Sequence, residues 1–65
     1  MKITINGQTK EVSNTSIAGL IVAFGGQNKK LIAELNGAIV PSDDWGKTAV
    51  NEGDKIELVA FVGGG

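Results

Sequence analysis

Lys55-Ile56-Glu57-Leu58-Val59-Ala60-Phe61-Val62 is the most apolar strand-like stretch of the chain, and it runs directly into Gly63-Gly64-Gly65. Alternation divides the stretch into two faces, Ile56, Leu58, Ala60 and Val62 against Lys55, Glu57, Val59 and Phe61. A strand with two distinct faces requires this period of two. Its apolar content places it in the interior of a sheet. With the first set turned toward a core, Val59 and Phe61 lie outward beside Glu57, an exposed apolar pair near the chain end and a natural docking patch for partners. Two other readings stay open on the residues: a strand buried on both faces, and a Phe61 ring folded over the sheet edge.

Working outward, Met1-Lys2-Ile3-Thr4-Ile5 alternates in the same way, and Asn6-Gly7 follows. Both turn residues tolerate φ > 0, which makes this dipeptide a strong hairpin signal. Gln8 to Val12 is then a polar return strand with Val12 inward. Ser13-Asn14-Thr15-Ser16 offers several N-caps. Ile17, Leu20, Ile21 and Phe24 recur at the spacing of one helical face, and Gly25-Gly26 supplies a left-handed residue to end the helix. Gly19 inside this helix is unexpected, as is an outer face of Ala18, Val22 and Ala23 with no charge. Leu31 to Leu35, a second Asn36-Gly37 turn, and Ala38-Ile39-Val40 read as another hairpin, cut short at an edge by Pro41. Ser42-Asp43-Asp44-Trp45 reads as a capped single turn that returns Trp45 to the core, and Asn51-Glu52-Gly53-Asp54 as the turn into the last strand. One amphipathic helix against one sheet is an α+β architecture, with the first and last strands free to pair in parallel.

Composition bounds the function. Sixty-five residues make a single small domain whose apolar side chains are needed for the core, leaving little for an internal active-site cavity. There is no cysteine and no histidine, so disulfides, thiolate metal sites and the commonest general base are all absent. A net charge of -1, without a basic stripe, argues against nucleic-acid binding. No apolar run reaches membrane-spanning length and the start lacks the form of a signal peptide, so the expectation is a soluble cytoplasmic protein without a membrane partner. Asp43 and Asp44 are neighbours whose side chains point apart, better suited to a turn than to acid–base work. Gly25-Gly26-Gln27-Asn28-Lys29-Lys30 lacks the order of a phosphate loop, because its glycines close a helix instead of opening one. The chain lacks most of the equipment of an enzyme.

The tail has two readings. Gly63, Gly64 and Gly65 are either a frayed or linker-like end, or a slender carrier that threads a narrow channel and delivers a carboxylate into another protein's active site.

At these residues the chain resembles the ubiquitin-like β-grasp sulfur carriers, most closely the ThiS family of thiamin biosynthesis. The resemblance covers the whole chain. It rests on Asn6-Gly7 after the first strand, the helix, and Leu35-Asn36-Gly37 leading to Ile39-Val40-Pro41 and Trp45. Val50 to Leu58 and the ending Phe61-Val62-Gly63-Gly64-Gly65 are its most specific parts. The MoaD-like sulfur carriers of molybdopterin synthesis are the alternative, usually longer and with prolines before their glycines. A ubiquitin-like protein modifier is a further one. Ala18-Gly19 departs from the family pattern, which often has an acidic residue there. The resemblance implies a β-grasp mixed sheet with one helix across a face, a domain over residues 1–62 and a flexible tail over 63–65. It also implies a carrier and not an enzyme. The Gly65 carboxylate would be adenylated by an E1-like enzyme of the ThiF or MoeB type and converted to a thiocarboxylate. ATP and a sulfur donor would be used by the partner enzymes, with no cofactor or metal bound by this chain. Gly63 and Gly64 would thread partner active sites, and thiazole synthase of the ThiG type would receive the sulfur.

Overall fold

A computed structural model describes residues 1–25 and 30–60 of the chain. Two asparagine–glycine corners organise its sheet. Asn6 and Gly7 have φ of 49° and 82°, and they join β1 (Lys2–Ile5) to β2 (Gln8–Glu11) with Ile5 opposite Gln8. Asn36 and Gly37, at 52° and 89°, join β3 (Leu31–Leu35) to β4 (Ala38–Val40) with Leu35 opposite Ala38. Positive φ at both central residues gives a turn whose twist matches that of the flanking strands. Between the hairpins lies α1 (Ile17–Phe24), and after them a 3-10 helix over Ser42–Lys47 and the last strand, β5 (Lys55–Ala60).

The sheet order is β2-β1-β5-β3-β4, with β5 parallel to β1 and antiparallel to β3. The most apolar strand is therefore central, and the Pro41-limited β4 and polar β2 are the edges. This mixed five-stranded sheet with one helix is the β-grasp arrangement. Ile3 and Ile5 of β1, Ala33 of β3, and Ile56 and Leu58 of β5 turn to one side, where Ile17 and Leu20 of α1 and Val50 close the core. Full burial of such an aliphatic side chain is worth about 1.5–3 kcal/mol, and together they carry most of the stability. The connection before β5 is stitched to the helix entrance: Ile17 N–H donates to the Thr48 carbonyl at 2.9 Å, and Val50 N–H to that of Thr15 at 3.0 Å.

Ser16 caps α1, its Oγ accepting from Gly19 N–H at 3.2 Å. Gly19 has a steric reason: a Cβ there would overlap Thr15 Oγ1. Four expectations need correction. Gly25 ends the helix at φ -79°, not in the left-handed region, and Gly26 lies outside the described residues. A Cβ on Gly25 would come within 2.6 Å of the Ile21 carbonyl oxygen and 3.0 Å of Leu31 Cδ1, so close approach, not handedness, demands glycine. Phe24, expected on the core face, is 40% exposed: it is the last residue of α1 and lines an open concavity with Val12, Leu20 and Ala23. Ala60 is also exposed, since the buried row of β5 stops at Leu58. The single turn at Ser42 is a six-residue 3-10 helix with no side-chain cap. Trp45 does pack against the core, with Nε1–H donating to the Val40 carbonyl at 2.9 Å.

Gly25→Ala should lower stability by about 1–3 kcal/mol, the usual cost of forcing a methyl group into a packed site. Chemical denaturation measures it; an unchanged midpoint would show that the helix end relaxes freely.

Candidate functional site: the open sheet face and the strand leading to the tail

The helix covers one side of the sheet and leaves the other open. On the open side β5 presents Lys55, Glu57 and Val59, all exposed, with Val59 at 45%. The register sets Val59 opposite Ile32 and Glu57 opposite Glu34 on β3, and Glu34 opposite Ile39 on β4. Ile39 is 65% exposed, so this face carries an apolar margin on both sides of two carboxylates. Reading the sequence alone missed Ile39 as part of this face. The signal was present in its spacing, since Asn36-Gly37 fixes the register that puts Ile39 beside Glu34. Val59 thus lies on the open face. Phe61, Gly63, Gly64 and Gly65 lie outside the described residues.

β5 is held in place by side chains as well as by its ladders. Its parallel pairing with β1 is short, Thr4 with Lys55 and Ile5 with Ile56, and Asn6 extends it: Asn6 Oδ1 accepts from Leu58 N–H at 2.9 Å. At the other end Asn36 Oδ1 accepts from Lys55 N–H at 2.9 Å, and Asn36 N–H donates to the Lys55 carbonyl at 2.7 Å. The preceding turn is closed by Asp54, whose Oδ2 accepts from Asn51 N–H at 2.8 Å and whose Oδ1 accepts from Asn36 Nδ2 at 3.1 Å. Glu52 Oε1 accepts from Lys2 N–H at 3.0 Å, and Gly53 takes φ 84°. The Glu52-Gly53-Asp54 motif thus ties the turn before β5 to Lys2 of β1 on one side and to Asn36 on the other. Asp43 and Asp44 lie in the first turn of the 3-10 helix. Among the described residues no three acidic side chains come together as a metal site, and no helix is long and apolar enough to cross a membrane.

Among the described residues the geometry is an open sheet face with an apolar margin, beside a central strand β5 fastened from both sides. The family model for ThiS matches residues 3–65. The chain belongs to the ThiS family. The crystal structure of a thiamine biosynthesis protein (ThiS) from Geobacter metallireducens superimposes with a TM-score of 0.85 at 30% identity, over all of both chains. A thiazole synthase from Paramagnetospirillum magneticum is 41% identical over the whole of this ThiS-family chain. An uncharacterized protein ycf40 from Trieres chinensis is 37% identical over 94% of this chain and 85% of its own length. The ThiS-family chain spans only about a fifth of the thiazole synthase it matches.

Asn6→Gly keeps the positive φ without strain and removes only the side-chain acceptor. The expected result is a loss of about 1 kcal/mol and faster hydrogen exchange at the Leu58 amide. Unchanged exchange at Leu58 would mean that the Asn6 bond does not anchor β5.

Proposed function

We propose that this protein is a sulfur carrier for the thiazole of thiamin, acting as a protein co-substrate and not as an enzyme. The observation that carries the reading is the match to the ThiS family over residues 3–65, which includes Gly63, Gly64 and Gly65. A carboxylate is a poor electrophile and must be activated before sulfur can add. On this reading the Gly65 carboxylate oxygen attacks the α-phosphorus of ATP on an E1-like enzyme and pyrophosphate leaves. A sulfide-level nucleophile then attacks the acyl carbon and AMP leaves, so that sulfur replaces one oxygen of the terminal carboxylate. The absence of cysteine and histidine fits this division, because ATP binding and acid–base work fall to partners. Gly63 and Gly64 have no Cβ and suit a narrow channel. The thiazole synthase among the relatives supports thiazole synthase as the acceptor of the sulfur.

Incubating the full chain with an E1-like adenylating enzyme, ATP and sulfide should exchange one oxygen for sulfur in the intact mass, mapped to Gly65. Modification at Lys30 or another internal residue, with Gly65 untouched, would overturn the reading, as would an isopeptide conjugate through Gly65 as the main product.

Docking on this reading uses Val59, together with Phe61. Val59→Asp should weaken binding to the adenylating enzyme and to thiazole synthase by about tenfold or more, since a carboxylate would be desolvated in the interface. Its exposed position limits the damage to folding. Full affinity for both partners would remove Val59 from the interface, and a collapsed melt would return it to the core.

A further inference from the structure

We propose that Asn36 is a site of spontaneous deamidation whose conversion unfastens the turn leading into β5, whereas conversion of Asn6 to aspartate leaves its anchor in place. Asn6 and Asn36 are the asparagines followed by glycine; Asn14, Asn28 and Asn51 precede Thr15, Lys29 and Glu52. In this reaction the backbone nitrogen of the following residue, on losing its proton to base, attacks the asparagine Cγ and expels ammonia. The succinimide ring so formed takes up one water at either carbonyl, giving aspartate or isoaspartate with no change of oxidation state. A side chain on the attacking residue hinders the approach, and glycine has none. Asn6, Gly7, Asn36 and Gly37 are all exposed. Nothing lies within 4 Å of the place a Cβ would take on either glycine. Both corners are open to the reaction, but their products differ.

The difference lies in the hydrogen bonds. Asn6 acts through its acceptor, Oδ1 taking the Leu58 N–H at 2.9 Å. An aspartate at position 6 keeps that oxygen. Asn36 acts through both ends of its amide: Oδ1 accepts from Lys55 N–H at 2.9 Å, and Nδ2 donates to Asp54 Oδ1 at 3.1 Å. An aspartate at position 36 keeps the acceptor but has no donor, so two carboxylate oxygens face each other across a former hydrogen bond. Glu34, Glu57 and Lys55 line the same concavity as Asn36, so the new charge enters a neighbourhood of two acids and a single cation. Asp54 also accepts through Oδ2 from Asn51 N–H at 2.8 Å, and displacing it opens the turn before β5. Isoaspartate routes the chain through the former side chain, adding one backbone atom to a turn whose register sets Leu35 opposite Ala38. The carboxylate left on it is one carbon shorter and falls short of Lys55 N–H. Attack requires the Asn36 amide to leave both partners first. The reaction is therefore slower in the folded chain than in the unfolded one, and it marks molecules in which the entrance of β5 has opened.

The test ages the full chain, folded and in urea, in neutral and mildly alkaline buffer, and maps each amide converted to a carboxylate by peptide mass spectrometry. Conversion should appear at Asn36 in the folded chain, faster at the higher pH and faster still in urea. Asn36→Asp should lower the melting temperature by about 4–8 °C, the loss of one side-chain hydrogen bond in a domain of this size. Hydrogen exchange at the Asn51 amide should speed up by about 3- to 10-fold. Asn6→Asp should melt close to the wild type. Combining Asn36→Asp with Asp54→Asn again sets a donor against an acceptor and should recover the loss, a rescue that general intolerance of aspartate at position 36 would not give. Asn36 staying an amide in the folded chain while it converts in urea overturns the site. An unchanged melt in Asn36→Asp, no recovery in the swap, or an equal loss in Asn6→Asp overturns the consequence. Should Asn36→Asp fail to fold, the swap decides: a melt near the wild type supports the contact with Asp54, and an unfolded chain overturns it.

Discussion

A single eight-residue helix can cover only one side of a five-stranded sheet, and the remaining features of this molecule follow from that constraint. The covered side takes the whole buried core, from Ile3 and Ile5 through Ile17 and Leu20 to Ile56 and Leu58. The open side is then obliged to carry residues that survive in water yet suit contact, and it has Lys55, Glu57, Val59, Glu34 and Ile39. Because β5 is central, it contributes to both sides at once: Ile56 and Leu58 hold the fold while Glu57 and Val59 face outward. So small a domain has little stability to spare. That is a reason for the chain to reinforce β5 with the side chains of Asn6, Asn36 and Asp54 instead of relying on a two-pair parallel ladder.

The residues that make the sequence recognisable are therefore mostly structural. Asn6-Gly7, Asn36-Gly37 and Glu52-Gly53-Asp54 set turns and fasten strands. They identify the family because the β-grasp sheet needs these corners in this order.

Most of the fold was legible for the same reason. Turn chemistry and alternation mark both hairpins, the 3.6-residue spacing marks α1, and the apolar run of β5 marks the centre of the sheet. The misreadings share a cause: each depended on how closely groups approach in space, which residue spacing alone does not give. Phe24 occupies a core-facing position in the helix pattern, but the pattern does not reveal that the helix ends there beside an open concavity. Gly25 reads as a left-handed terminator until the approach of Leu31 is known, and Gly19 reads as a defect until Thr15 is seen beneath it. The opposition of Glu34 and Glu57 depends on the β3–β5 register, which spans the whole of β4 and the 3-10 helix and has no local signal. The site was legible only in part: alternation placed Val59 outward, whereas Ile39 and the acid pair needed the sheet to be assembled.

The size of the open face bears on how a carrier built this way would work. Five strands spaced about 4.8 Å apart and six residues of β5 at about 3.3 Å each give a face of roughly 24 by 20 Å. A stable protein–protein interface takes about 800 Å² from each partner, appreciably more than such a face projects. Docking through the sheet alone therefore falls in the range of weak, short-lived complexes. On the carrier reading proposed above, a contact of this size is completed by the tail, so that binding and presentation of the terminal carboxylate would become one event. On that reading a carrier that visits an activating enzyme and then an acceptor is served by short-lived contacts, and a sheet with one side uncovered is suited to them.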